Sequence, residues 1–180
     1  MAHEFDYMSA SEMRLRVARK DISPVDLTRL ARADEVQPIL NAFFELMPED
    51  AMTAAQVAED AVMQGDGLGA LHGIPLSVKD LIAVGGVRFA LGSKTMAENV
   101  AAEDAPAVER ARAAGGIVIG KTTTSEFGCK PVGDSPLTGI TRNPWNTDKT
   151  PGGSSAGAAA SVAAGVTPFA LGTDGGGSVR

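Results

Sequence analysis

Apolar positions recur along this chain with two different periods, and the change from one to the other falls near Gly65. Before that glycine the spacing is mostly helical. Ser9 to Lys20 sets Met13, Leu15 and Val17 among charges and predicts a short amphipathic helix. Ser23-Pro24 reads as an N-cap with proline in the first turn. It opens a helix to about Asp34 whose apolar stripe is Leu27, Leu30 and Ala31. Leu40 to Leu46 is strand-like and ends at Met47-Pro48. The alanine-rich run Glu49 to Gln64 predicts a further helix stopped by Gly65.

Past Gly65 short apolar runs alternate with helical stretches. Ile74 to Val78 predicts a strand that delivers Lys79 at its end. Asp104 to Ala114 predicts a helix with Ala107, Val108 and Ala111 on one face, closed by Gly115-Gly116. Ile117-Val-Ile-Gly120 is continuously apolar, as strands buried on both faces are. Ser154 to Ala164 predicts a helix of small residues, and Thr167 to Leu171 another buried strand. Such alternation predicts an α/β domain with helices covering a largely parallel or mixed sheet. Residues 1–65 are expected as a helical N-terminal arm and residues 66–180 as the start of the α/β core.

Composition narrows the function classes. The 180 residues suffice for one domain with a substantial core. A net charge of −6 argues against a nucleic-acid partner held by a basic patch. The single cysteine, Cys129, excludes an internal disulfide framework and fits a reducing compartment. The N-terminus carries acidic residues and no apolar h-region, so no signal peptide is read and the cytoplasm is expected. Thr150 to Thr173 is uncharged, but it is mostly Ala, Gly and Ser, broken by Pro168. It lacks the large aliphatic residues that drive membrane insertion, so no membrane partner is expected.

Chemistry concentrates in two glycine-rich turns that end in serines, Gly152-Gly153-Ser154-Ser155 and Gly175-Gly176-Gly177-Ser178. A serine becomes a nucleophile only when a base takes its proton. The only histidines are His3 and His72, and neither sits in a turn that displays a catalytic side chain; His72 reads as a loop or core residue. A lysine can replace histidine where desolvation favours its neutral amine, and Lys79 at the end of a buried strand is the candidate. A lone lysine there is otherwise a surface residue, and it is the company of the two serine turns that singles Lys79 out. Asp80, beside it, points to the other side of the strand and reads as structural. Consecutive amides at Gly175, Gly176, Gly177 and Ser178 form a nest suited to a developing oxyanion. A phosphate-binding module is disfavoured, since neither G-x-x-x-x-G-K-[ST] nor G-x-G-x-x-G after a strand occurs.

Five segments in order carry a resemblance: Gly73-Ile-Pro-Leu-Ser-Val-Lys-Asp80, Gly120-Lys-Thr-Thr-Thr-Ser-Glu-Phe127, Thr141-Arg-Asn-Pro-Trp145, Pro151-Gly-Gly-Ser-Ser155 and Gly172-Thr-Asp-Gly-Gly-Gly-Ser-Val-Arg180. The chain resembles the amidase signature family from about Ser9 to its last residue. That resemblance implies an α/β fold with three α/β/α layers around a mixed sheet. It also implies Ser178 as nucleophile, Ser154 as a bridging serine after a cis Gly153–Ser154 peptide, and Lys79 as general base. Cys129, Gly153 and Thr173 would line the substrate pocket, with the Cys129 thiol expected to be buried. Gly175 departs from the larger residue common in relatives, but only its amide is needed.

The activity implied is hydrolysis of a carboxylic amide to acid and ammonia or amine through an acyl-enzyme, without metal or cofactor. The alternative within the family is the glutaminase subunit of an amidotransferase that acts on misacylated tRNA. The partners implied are a small amide and a second copy in a homodimer, with no direct contact to nucleic acid. Relatives are more than twice this long. The chain is therefore expected as a single domain, 1–180, incomplete at its C-terminal side; a third reading is an inactive, poorly soluble fragment.

Overall fold

The computed structural model describes Phe5, residues 7–29 and residues 31–180. His3 and the expected stripe residue Leu30 lie outside the described residues. The chain runs α1 (Ala10–Ala18), α2 (Pro24–Arg29), α3 (Ala33–Leu40), β1 (Phe43–Leu46), α4 (Pro48–Gln64), β2 (Pro75–Lys79), α5 (Pro106–Ala113), β3 (Ile117–Thr122), β4 (Asp134–Ser135), β5 (Gly139–Ile140), α6 (Ala156–Ala163) and β6 (Ala170–Leu171).

Four strands form one mixed sheet in the order β1-β3-β2-β6. β2 lies parallel to both β3 and β6, whereas β1 pairs antiparallel with β3. Every residue of β2 and β3 is buried, which is why both read as nearly unbroken apolar runs. On one face Leu76, Val78 and Val118 pack with Val108 and Ala111 of α5. On the other, Ile117 and Ile119 pack with Ala160 of α6 and with Ala51, Ala55 and Ala58 of α4. Ser77 of β2 meets Ser161 of α6 through a buried hydroxyl pair 3.0 Å apart. The architecture is thus the three-layer α/β/α sandwich that the resemblance implies.

α6 consists of small residues because it lies almost on the strands. A Cβ at Gly157 would run into the carbonyl oxygen of Ala42 and the amide of Thr123. The uncharged stretch containing α6 is accordingly a packed helix and a short strand. Among the described residues, no helix is long and apolar enough to cross a membrane.

The N-terminal third departs from its pattern in two ways. The expected single helix from Ser23 to Asp34 is broken: α2 ends at Arg29, and α3 restarts at Ala33 after Arg32 adopts φ 42°. α3 then reaches Leu40, the expected start of a strand. Its Gln37 explains the change, because the side-chain amide accepts from Phe43 N at 2.7 Å and donates to Phe43 O at 2.8 Å. A helix is needed there to aim Gln37 at the start of β1. Nor is 1–65 simply a helical arm. β1 belongs to it and forms one edge of the central sheet, satisfying backbone groups of β3 that would otherwise stay unpaired.

Candidate active site

The parallel strands β2 and β6 end side by side, with Val78 opposite Leu171. Open α/β sheets bind ligands in the crevice beyond such carboxyl ends. Lys79 is the last residue of β2 and is fully buried. By pleat alternation it shares the α6 face with Ser77, while Asp80 turns to the opposite face.

Three further segments converge on Lys79. The first is the turn ahead of α6, where the Gly153–Ser154 peptide is cis and Gly153 is wedged against the backbone of Val132. Ser154 Oγ lies 2.7 Å and Ser155 Oγ 2.9 Å from Lys79 Nζ. The second is the segment leaving β6, which places Thr173 Oγ1 2.7 Å from the same nitrogen. The third is the turn carrying Ser178, whose Oγ is 3.2 Å from Lys79 Nζ and 3.3 Å from Ser154 Oγ. Ser178 Oγ also accepts from Ser155 N at 2.9 Å and lies 2.6 Å from Ser155 Oγ. Four hydroxyls thus surround one amine.

Burial lowers the Lys79 pKa to about 8, while the negative charge of Asp174 works against that shift. A neutral amine has two N–H donors and one lone pair. Ser155 Oγ has one hydrogen for two acceptors within reach, Thr173 O at 3.2 Å and Ser178 Oγ at 2.6 Å, and in either case it keeps a lone pair to accept from Lys79. With Ser155 and Thr173 taking the two N–H groups, the lone pair of Lys79 is left for the hydroxyl hydrogen of Ser154. The Oγ of Ser154 in turn is within reach of Ser178. The arrangement can therefore pass a proton from Ser178 through Ser154 to Lys79 and back.

The turn before Ser178 is organised by Asp174. Its carboxylate accepts from Gly177 N at 2.6 Å and Val179 N at 3.4 Å, and from Arg180 Nε and a second Arg180 nitrogen at 2.9 and 3.0 Å. These hydrogen bonds, that from Arg180 foremost, hold Asp174 well below the usual carboxylate range. The Gly177 amide is consequently engaged, unlike the expectation of four free amides. Those of Gly175, Gly176 and Ser178 find no partner among the described residues. Side chains added at Gly175 or Gly176 would meet only open space.

Thr173, expected to line the substrate pocket, has its hydroxyl on Lys79. One other expectation changes. Cys129 is exposed rather than buried. Phe127 at φ 50° and Gly128 at φ 71° turn the chain so that the thiol faces outward. Gly128 itself abuts the cluster, since a Cβ there would lie 3.4 Å from Ser154 Oγ. His72 has a structural contact, Nε2 to Ala58 O at 2.8 Å. The roles of Ser155 and Asp174 are not evident from sequence, although the Ser154-Ser155 doublet and the Asp174/Arg180 pairing frame both serine turns.

Known proteins carry the same arrangement of segments. Residues 27–180 match the family described as Amidase. The chain is 43% identical over 176 residues to an acylamidase of Rhodococcus erythropolis, covering 97% of this chain and 37% of that protein. It is 40% identical over 175 residues to a glutamyl-tRNA(Gln) amidotransferase subunit of Geobacter metallireducens, covering 96% and 36%. A solved bacterial aryl acylamidase of the amidase signature enzymes superposes with a TM-score of 0.95 at 33% identity, over 99% of this chain and 38% of that one. The chain thus spans a little over a third of the length of these relatives. The match includes every segment that brings a hydroxyl to Lys79, and on that ground this chain belongs to the amidase family of amidase signature enzymes.

Proposed function

We propose that the protein carrying this chain hydrolyses a carboxylic amide through a serine acyl-enzyme. Ser178 is the nucleophile, Ser154 the relay and Lys79 the base that starts the proton transfer. The observation that carries this reading is the path from Ser178 Oγ to Ser154 Oγ, 3.3 Å, and on to Lys79 Nζ, 2.7 Å. Lys79 accepts the proton as Ser178 attacks the amide carbon. The same path then returns it to the leaving nitrogen, and water resolves the ester. The amides of Gly175, Gly176 and Ser178 are the donors suited to the oxyanion, and each such donor is typically worth about 3 kcal/mol.

The relatives named acylamidase and aryl acylamidase support hydrolysis of small acyl amides as the substrate class. The amidotransferase relatives favour a second reading, in which the same serine releases ammonia from glutamine for a partner protein. Co-purification with a tRNA-binding partner, together with glutaminase activity that depends on it, would select that reading. In either case a fluorophosphonate probe should label Ser178. Labelling that persists in Ser178→Ala would overturn the assignment.

A further inference from the structure

On the face of the sheet opposite Lys79 lies a buried ion pair that the proton path does not use. Asp80 and Lys121 are 1% and 0% exposed, with Lys121 Nζ 3.0 Å from Asp80 Oδ1. Burial pushes the Asp80 carboxyl up and the Lys121 amine down, and their mutual attraction opposes both shifts. A buried ion pair is weak evidence for stability, because well-packed apolar residues of similar volume often serve as well. What the pair does is visible in the other hydrogen bonds of its two side chains, which all go to one loop. Asp80 accepts from Ala90 N at 3.3 Å and Gly92 N at 3.1 Å. Lys121 donates to Arg88 O at 3.1 Å and lies 5.2 Å from the centre of the Phe89 ring.

That loop needs holding, since Leu91 and Gly92 are both left-handed, at φ 56° and 67°. It is also the seat of the next segment. Phe127 N donates to Leu91 O at 2.8 Å, and Ser93 Oγ donates to Glu126 Oε1 at 2.7 Å. Gly92 is pressed so closely on the backbone of Thr124 and Ser125 that a Cβ would not fit. The seated turn then presents Gly128 to Ser154. A continuous set of polar contacts therefore runs from the ion pair, through residues 88–93, to the turn whose Gly128 packs on Ser154.

We propose that Asp80 and Lys121 are positioning residues for the proposed hydrolysis: they fix loop 88–93 so that the Phe127–Gly128 turn holds Ser154 in line between Lys79 and Ser178. The inference rests on the functional reading above. Displacement of a reacting group by about 1 Å, even from a distant change, costs on the order of a hundredfold in rate. Removing the pair should therefore slow acylation while leaving substrate recognition largely in place.

The test is Asp80→Asn/Lys121→Met, which removes both charges together and leaves neither one buried alone. It is measured in the protein that carries this chain. Amide exchange at Phe127 and Gly128 should accelerate at least tenfold, and fluorophosphonate labelling of Ser178 and kcat should both fall by roughly ten- to a hundredfold. KM should change far less than kcat. Glu126→Ala supplies a second variant that removes the Ser93–Glu126 link between loop and turn without touching the ion pair, and because the Phe127 N to Leu91 O bond remains it should give the same signature at smaller amplitude. Should the double variant fail to fold, Glu126→Ala decides alone. Unchanged exchange, or unchanged labelling and kcat, in a folded variant overturns the inference and leaves the functional reading intact. Absence of Ser178 labelling in the unsubstituted protein overturns the functional reading, and the inference falls with it.

Discussion

At the scale of single residues, the proposed chemistry depends on the charge state and orientation of one amine. In that proposal Lys79 acts as a base only when neutral, and its pKa is lowered to about 8 by burial. The acidic limb of kcat/KM should therefore rise about tenfold per pH unit up to a midpoint near 8 and level off above it. Lys79→Ala should remove activity by several orders of magnitude, since members of such a relay act as a unit. A flat profile across that range, or turnover in the alanine variant, would contradict the role given to Lys79.

In the same proposal Ser155 and Thr173, at 2.9 and 2.7 Å from Lys79 Nζ, orient the neutral amine by accepting its two N–H groups. Ser155→Ala and Thr173→Val each free the lone pair to rotate away from Ser154. Each should lower kcat by about ten- to a hundredfold, while Thr173→Ser keeps its hydroxyl and should recover most of the rate. Steady-state kinetics on the three variants checks this. Equal losses in Thr173→Ser and Thr173→Val would show that shape, not the hydroxyl, matters. The neighbouring Ser154 is legible from its motif. Ser155 is not, because adjacency in sequence does not reveal that its amide and hydroxyl both face Ser178.

At the scale of elements, α6 is the part on which the site's geometry depends. It follows directly on Ser154 and Ser155, and its height above the strands sets how far both hydroxyls stand from Lys79. Gly157 permits that height by lying against Ala42 and Thr123. Gly157→Ala should lift the first turn and destabilise the fold by about 1–3 kcal/mol, as overpacking does. It should also cut activity by more than the lost stability explains, which thermal melts and labelling rates taken together would reveal. A neutral effect on both would mean that α6 has room to spare. The helix itself is legible from its run of alanines. That its small residues serve close packing rather than lipid is legible too; which backbone they meet, that of Ala42 and Thr123, comes only from the tertiary structure.

At the scale of the whole molecule, the N-terminal 65 residues are not an appendage. β1 closes one edge of the sheet, and the alanines of α4 share a core with Ile117, Ile119 and Ala160. Residues 66–180 expressed without them should fail to fold cooperatively. The edge of β3 would lose its partner, and the buried isoleucines would face water. Broad, poorly dispersed amide resonances are the expected result, and a well-dispersed spectrum would show that the α/β part stands alone.

The sequence by itself determined the alternation of strands and helices from Ile74 to Leu171, and its short motifs singled out Lys79, Ser154 and Ser178, which the fold brings together. Both are written locally, in the burial period of one segment or in a short motif, whereas the three-layer class came with the family resemblance those motifs carry. Tertiary structure decided what those segments do to one another. It broke the expected helix at Arg32 so that Gln37 could hold Phe43, and it turned Cys129 outward. It put the Thr173 hydroxyl on Lys79, engaged the Gly177 amide with Asp174, and set Asp80 against Lys121 on the other face of the sheet. These outcomes depend on register, on turn dihedrals and on contacts between residues far apart in the chain. No local period encodes them, because the partner that satisfies a buried polar group is chosen only when the layers come together.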